Sequence, residues 1–157
     1  MYKRQVRDTF QYVHEYNLST PYDISTRTYA GNDERCELGS GSDGHSGNQA
    51  HDLEFSNDGM KLFTSDKSSD TLFRFDLTSP YDVSTCSFVY ETTTVDTPAL
   101  QNGSNAGTKG TNTRLQGFEI SEDGKKLFLL FHDTKSPTGD LSRLHEYNLS
   151  TPFDLSL

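Results

Sequence analysis

Two adjacent residues, His51 and Asp52, place an imidazole beside a carboxylate just ahead of an alternating apolar stretch. Such a pair could hold a ligand or a metal ion. The simpler reading is that both cap a strand and bond loop backbone, because Gln116-Gly117 stands in the matching place of a later repeat. The connection Gly31–Ala50 gathers Asp33, Glu34, Glu37, Asp43 and His45 among Gly and Ser, the kind of oxygen-rich loop that can wrap Ca²⁺. Residues 41–47 lack the alternating Asp and terminal bidentate Glu of a dedicated calcium loop, so a solvated surface loop is the better reading. Cys36 and Cys86 permit one disulfide or remain two free thiols. Asn17, Asn102 and Asn148 each open a glycosylation sequon. Asn17 and Asn148 occupy the repeat position of Asp76, so a small polar residue near a strand end explains them without a sugar. Asn102, in a connection rich in Asn, Gly and Thr, is the best acceptor of the three, and that connection suits sugar binding or plain exposure equally. No Gly-x-Ser-x-Gly elbow, phosphate-cradling glycine loop, His-Glu-x-x-His helix or Cys-x-x-Cys pair is present, so no catalytic residue is assigned.

The elements that must position these residues belong to an acidic chain of 157 residues with a formal charge of −9. That length fits one ordinary domain. The charge argues against nucleic acid or an anionic membrane surface as partner, since both reward a concentrated basic face. Ten Phe and eight Tyr are too many for a disordered acidic tail. No apolar run approaches the ~20 residues of a membrane helix, so no membrane insertion is expected.

Internal repeats organise the chain. Residues 14–25 and 145–156 match at ten of twelve positions, and residues 74–85 carry a third copy. The anchoring aromatics are Tyr16, Phe75 and Tyr147. A second motif occurs at 53–63, Leu-Glu-Phe-Ser-Asn-Asp-Gly-Met-Lys-Leu-Phe, and again at 117–128 around Glu122-Asp123-Gly124. Differences in spacing fall in Gly/Ser/Thr/Asn-rich connections, as expected of repeats that share a core and vary in loops.

Each repeat reads as four short strands, in the central one 51–55, 61–65, 71–77 and 86–92. Asp-Gly supplies the positive-φ residue of a tight hairpin between the first two strands. In the third strand Leu72, Arg74 and Asp76 alternate with Phe73, Phe75 and Leu77. Ser/Thr-Pro-Tyr/Phe-Asp is a turn into the fourth: proline fixes φ and Asp bonds backbone two residues on. Essentially no helix is expected. The expected core is Phe55, Leu62, Phe63, Phe73, Phe75, Leu77, Phe118, Ile120, Leu127, Phe128, Leu144, Tyr147 and Leu149.

With these motifs the chain resembles the bacterial, archaeal and viral surface β-propellers built on Phe-Ser-x-Asp-Gly-x-x-Leu-Phe followed by Tyr-x-Leu-Ser-Thr-Pro-Tyr-Asp-Val-Ser-Thr. The resemblance rests on residues 55–63, 74–85, 120–128 and 145–156, and on 14–25 for its second half. It implies an all-β chain of antiparallel four-stranded blades, about two to three here. Residues 10–31 would be strands three and four of a first blade, 51–93 a complete central blade, and 115–157 strands one to three of a third. Because a closed propeller needs 4–8 blades, the chain is expected to be a single partial propeller. It would then be a fragment of a longer array or a unit completed by further copies or flanking blades. The opening Met-Tyr-Lys-Arg-Gln has no counterpart in the repeat, which fits a fragment.

In such a propeller His51, Asp52 and Gln116 would lie at the mouth of the central channel, a usual place for ligands. The expected function is a non-enzymatic module for binding or assembly on an extracellular, cell-surface or virion-associated protein, with glycans as possible ligands and no required cofactor. The alternative is a carbohydrate-active hydrolase or lyase with its site at that mouth.

Overall fold

The computed structural model describes residues 4–7, 11–38, 50–66, 70–92, 113–133 and 141–155. Within them every regular element is an antiparallel strand, apart from two single 3-10 turns at Ile24–Thr26 and Val83–Thr85. The central sheet runs in the order β6 (Ala50–Phe55), β7 (Lys61–Asp66), β8 (Thr71–Asp76), β9 (Ser87–Glu91). A three-stranded sheet follows from β10 (Thr113–Ile120), β11 (Lys126–Asp133) and β12 (Leu141–Asn148). The hairpin turns between their first two strands are built alike. Gly59 and Gly124 both hold φ at 70°, the left-handed region that a side chain disfavours. Asp58 accepts from the Ser56 hydroxyl and the Met60 amide, as Asp123 does from Ser121 and Lys125. Those bonds, the serine hydroxyl first, hold both carboxyls below the usual aspartate value. The bulge between Ala50 and Asp52 recurs between Leu115 and Gly117, at the same repeat positions.

The first unit departs from the expected 10–31. Strand β1 (Arg4–Arg7) pairs with β2 (Gln11–His14), so the chain's opening contributes a strand where none was expected. β3 (Tyr16–Leu18) pairs with β4 (Arg27–Tyr29) in the register of the central sheet: Tyr16 faces Tyr29 as Phe75 faces Phe88. Beyond that the outer strand is interrupted. His14 faces Arg35 of β5 (Arg35–Glu37), whereas its counterpart Phe73 faces Glu91. The 59-residue offset would put residue 32 there, so three extra residues are accommodated around Gly31, where φ reaches 137°.

Two apolar layers flank the central sheet. Leu62, Phe73, Phe75, Leu77 and Val83 pack with Val13, Cys36 and Leu38 on the side of the first unit. Phe63 and Leu72 pack with Leu115, Phe118, Ile120, Leu127, Leu129 and Phe131 on the side of the third sheet. Strand alternation produces both layers, because β7 and β8 send successive side chains to opposite faces. Leu144 is a correction to the expected core: it is 68 % exposed, and Phe128 is only half-buried. Their counterparts Leu72 and Phe63 are buried because the third sheet covers them.

Candidate functional site

The polar residues at the start of β6 converge on the inner edge of β10. An uncovered edge strand presents amides that need acceptors. Here carboxylates of the central unit supply them. Asp52 Oδ2 accepts the Phe118 amide at 3.1 Å, Glu54 Oε2 the Ile120 amide at 2.8 Å, and Asp70 Oδ1 the Leu115 amide at 2.8 Å. His51 Nδ1 lies 3.0 Å from the Gln116 carbonyl, which fixes Nδ1 as the protonated nitrogen because a carbonyl only accepts. Asn57 adds a further bond, Nδ2 to the Glu122 carbonyl at 2.9 Å. Gly117 makes the approach possible: a Cβ there would stand 3.1 Å from Asp52 Oδ2.

His51 thus meets the main chain of Gln116, while Asp52 reaches the Phe118 amide two residues further along β10. Asp52 is committed on both oxygens, since Oδ1 accepts its neighbour's amide, Leu53, at 2.9 Å. The Glu54 carboxyl is strongly perturbed. Burial first, then the charges of Glu119 and Asp52, push its pKa up to about 7 against the pull of the Ile120 amide.

Sequence reasoning passed over Glu54 and Asp70. A signal for Glu54 was present: Glu119 holds the same repeat position, 65 residues on. Glu119 is exposed, and among the described residues no further sheet lies beside the third.

The cysteines form a disulfide, Cys36–Cys86, with their Cα atoms 5.7 Å apart, so the free-thiol alternative is set aside. It ties β5 of the first unit to the turn before β9. In the central sheet Thr92 holds the place of Cys36, and its hydroxyl accepts the Leu72 amide at 3.0 Å. Asn17 and Asn148 are exposed on strands β3 and β12. Asn102, Asp43 and His45 lie outside the described residues. Glu34 of the acidic connection meets Glu15 and Asp82, their carboxylates within 4.8 Å of one another, and Glu15 also accepts the Val83 amide at 3.4 Å.

No protein-family model and no curated protein matches the chain.

Proposed function

We propose that this chain is a non-enzymatic, propeller-type repeat module that serves binding or assembly, at a cell surface, outside the cell or on a virion. One observation carries the reading: the third sheet repeats the adhesive face of the central one, and no described sheet lies against it. Leu72 is buried under the third sheet, and its counterpart Leu144 is 68 % exposed. Glu54 binds the Ile120 amide of the next sheet, and its counterpart Glu119 is exposed beside it. A face that joins one unit to the next within the chain is therefore offered again at its far side, with an apolar centre and an acceptor for a strand edge. The disulfide suits an oxidising compartment.

The residues of the enzyme alternative are already engaged in structure, with Asp52 bonded on both oxygens and His51 Nδ1 on a carbonyl. Further copies or flanking repeats are the partners this reading requires, with glycans as secondary ligands. Sedimentation of the 157-residue chain tests it. Concentration-dependent association that Leu144→Glu abolishes, with the melting transition kept, is the expected result. A chain that stays monomeric at every concentration, wild type and variant alike, would overturn it.

A further inference from the structure

Among the described residues, a second edge without a partner strand lies at the other side of the chain, along β3. We infer that Leu18, Pro21 and Tyr22 form a docking edge for a strand–turn segment of the Asn-Asp-Gly type, presented by a further repeat of this kind. It deepens the assembly reading by assigning one edge its partner.

The chain contains two worked precedents for the contact. In each, the aromatic after proline covers the hairpin glycine. A Cβ on Gly59 would stand 2.5 Å from the Tyr81 ring, and one on Gly124 would stand 2.4 Å from the Phe153 ring. The backbone joins the same partners: the Tyr81 amide donates to the Gly59 carbonyl at 2.9 Å, and the Phe153 amide to Gly124 at 2.8 Å. Four residues earlier, the Leu77 and Leu149 amides donate to the Met60 and Lys125 carbonyls, both at 2.8 Å.

Tyr22 is the counterpart of Tyr81 and Phe153, and Leu18 is the counterpart of Leu77 and Leu149. The turn is already formed, because φ is 64° at Tyr22 and 60° at both Tyr81 and Phe153. Asp23 locks it by accepting the Ser25 amide at 2.9 Å, as Asp82 does for Ser84 at 3.1 Å. Yet Tyr22 is 97 % exposed where Tyr81 is 38 %. Among the described residues no glycine lies under the ring, and no carbonyl receives the Leu18 and Tyr22 amides as in the precedents. In that place is a hollow of about 350 Å³ lined by Tyr16, Asn17, Leu18, Pro21 and Tyr22. The left-handed backbone excludes most side chains at the turn, so the incoming residue under the ring is glycine. Among the described residues a second copy of this chain is a poor donor, since Tyr81 and Phe153 already cover the hairpin glycines Gly59 and Gly124.

The register of β1 supplies the test. Gln5 faces Val13 as Ser65 faces Leu72, an offset of 60. A copy of His51–Met60 joined directly ahead of Met1 therefore falls in step with the central hairpin. In the full chain so extended, hydrogen exchange at the Leu18 and Tyr22 amides is expected to slow about tenfold or more. The same extension carrying Gly59→Val should leave both amides as they are in the unextended chain. Protection at Phe75 and Leu77 in every sample verifies that the central sheet is folded. Equal exchange in all three chains, or equal protection by both extensions, would overturn the proposal. Concentration-dependent protection of Tyr22 in the unextended chain would also overturn it, by identifying a second copy as the occupant. Association through Leu144 is read separately by sedimentation, so either idea can fail alone.

Discussion

The Glu54 carboxylate accepts the Ile120 amide at 2.8 Å across the boundary between the central and third sheets. The bond fills an acceptor need on the β10 edge, and it holds an acid in a half-buried seam beside Asp52 and Glu119. Burial is the larger effect and the two neighbouring charges add to it, so the carboxyl is pushed up to about 7 from its ordinary 4.5.

The first prediction is a pH dependence. Between about 4.5 and 7 the folded protein holds a proton on Glu54 that the unfolded chain has released. The stabilisation is therefore complete below pH 4.5 and is lost as pH rises through 7. Allowing for screening at a half-exposed group, the loss is about 1–2 kcal/mol. His14 and His145 work in the opposite sense. Burial first, then Arg35 and Arg143 respectively, lower their pKa values, so their contribution is lost as pH falls. Comparing wild type with Glu54→Gln cancels them. Glutamine keeps an oxygen for the Ile120 amide and has no proton to release, so the variant should gain about 1–2 kcal/mol relative to wild type as pH rises from 4.5 to 7.5. Urea denaturation at several pH values measures this, and parallel profiles would rule out Glu54 as the titrating group.

The second prediction concerns the disulfide. Cys36 and Cys86 are 50 residues apart, and closing a loop of that size restricts the unfolded chain by about 4 kcal/mol. Reduction, or Cys36→Ser with Cys86→Ser, should lower the unfolding free energy by roughly that amount. The melting transition should fall accordingly. An unchanged transition under reductant would mean that the bridge does not form in solution.

Strand positions, both Asp-Gly turns and the two faces of β8 were legible in the sequence, because the period-2 alternation and the turn residues act locally. Leu144 was not. Its burial depends on whether a neighbouring sheet exists, and nothing within β12 records that. The first unit was legible only where it follows the repeat. The Tyr16–Tyr29 pairing reproduces Phe75–Phe88, while the insertion near Gly31 has no counterpart in the central sheet, and Arg4–Arg7 takes the place of β7 beside β2 without sharing its sequence. At the candidate site, His51 and Asp52 stood out as unusual residues. Their use as backbone caps depends on β10 lying alongside, a contact between positions 65 and 66 residues apart. The cysteines were ambiguous for the same reason, since the Cα separation that decides between bridge and thiols is set by the packing of β5 on the turn before β9.

The third prediction tests the core between the first and central units. Phe75 is 1 % exposed, and its ring meets Phe88 edge-on at 5.7 Å between centroids. Phe75→Ala removes a ring from a layer that also holds Leu62, Phe73 and Val83, and should cost about 3–5 kcal/mol. Leu144→Ala, at the matching strand of the third sheet, should cost under about 0.5 kcal/mol in the monomer because the side chain is exposed. Similar losses for the two variants by denaturant unfolding would contradict the assignment of the layers.

The last prediction addresses the aromatic lids. Gly59 faces two obstacles to any side chain: φ of 70°, and a Tyr81 ring 2.5 Å from where its Cβ would be. The ring has little room to retreat, because its hydroxyl donates to the Asn57 carbonyl at 2.7 Å and its backbone amide to Gly59 itself. Gly59→Ala should therefore destabilise by more than the ~1 kcal/mol that the left-handed backbone alone costs an L-residue, and about 2–4 kcal/mol is expected. The double variant Gly59→Ala with Tyr81→Ala separates the two effects. Removing the ring abolishes the collision and leaves the backbone strain, so alanine at position 59 should cost only about 1 kcal/mol against the Tyr81→Ala background. Equal costs in the two backgrounds, measured by chemical denaturation, would show that the ring does not bear on the turn, and the same comparison at Gly124 and Phe153 would then be expected to fail as well.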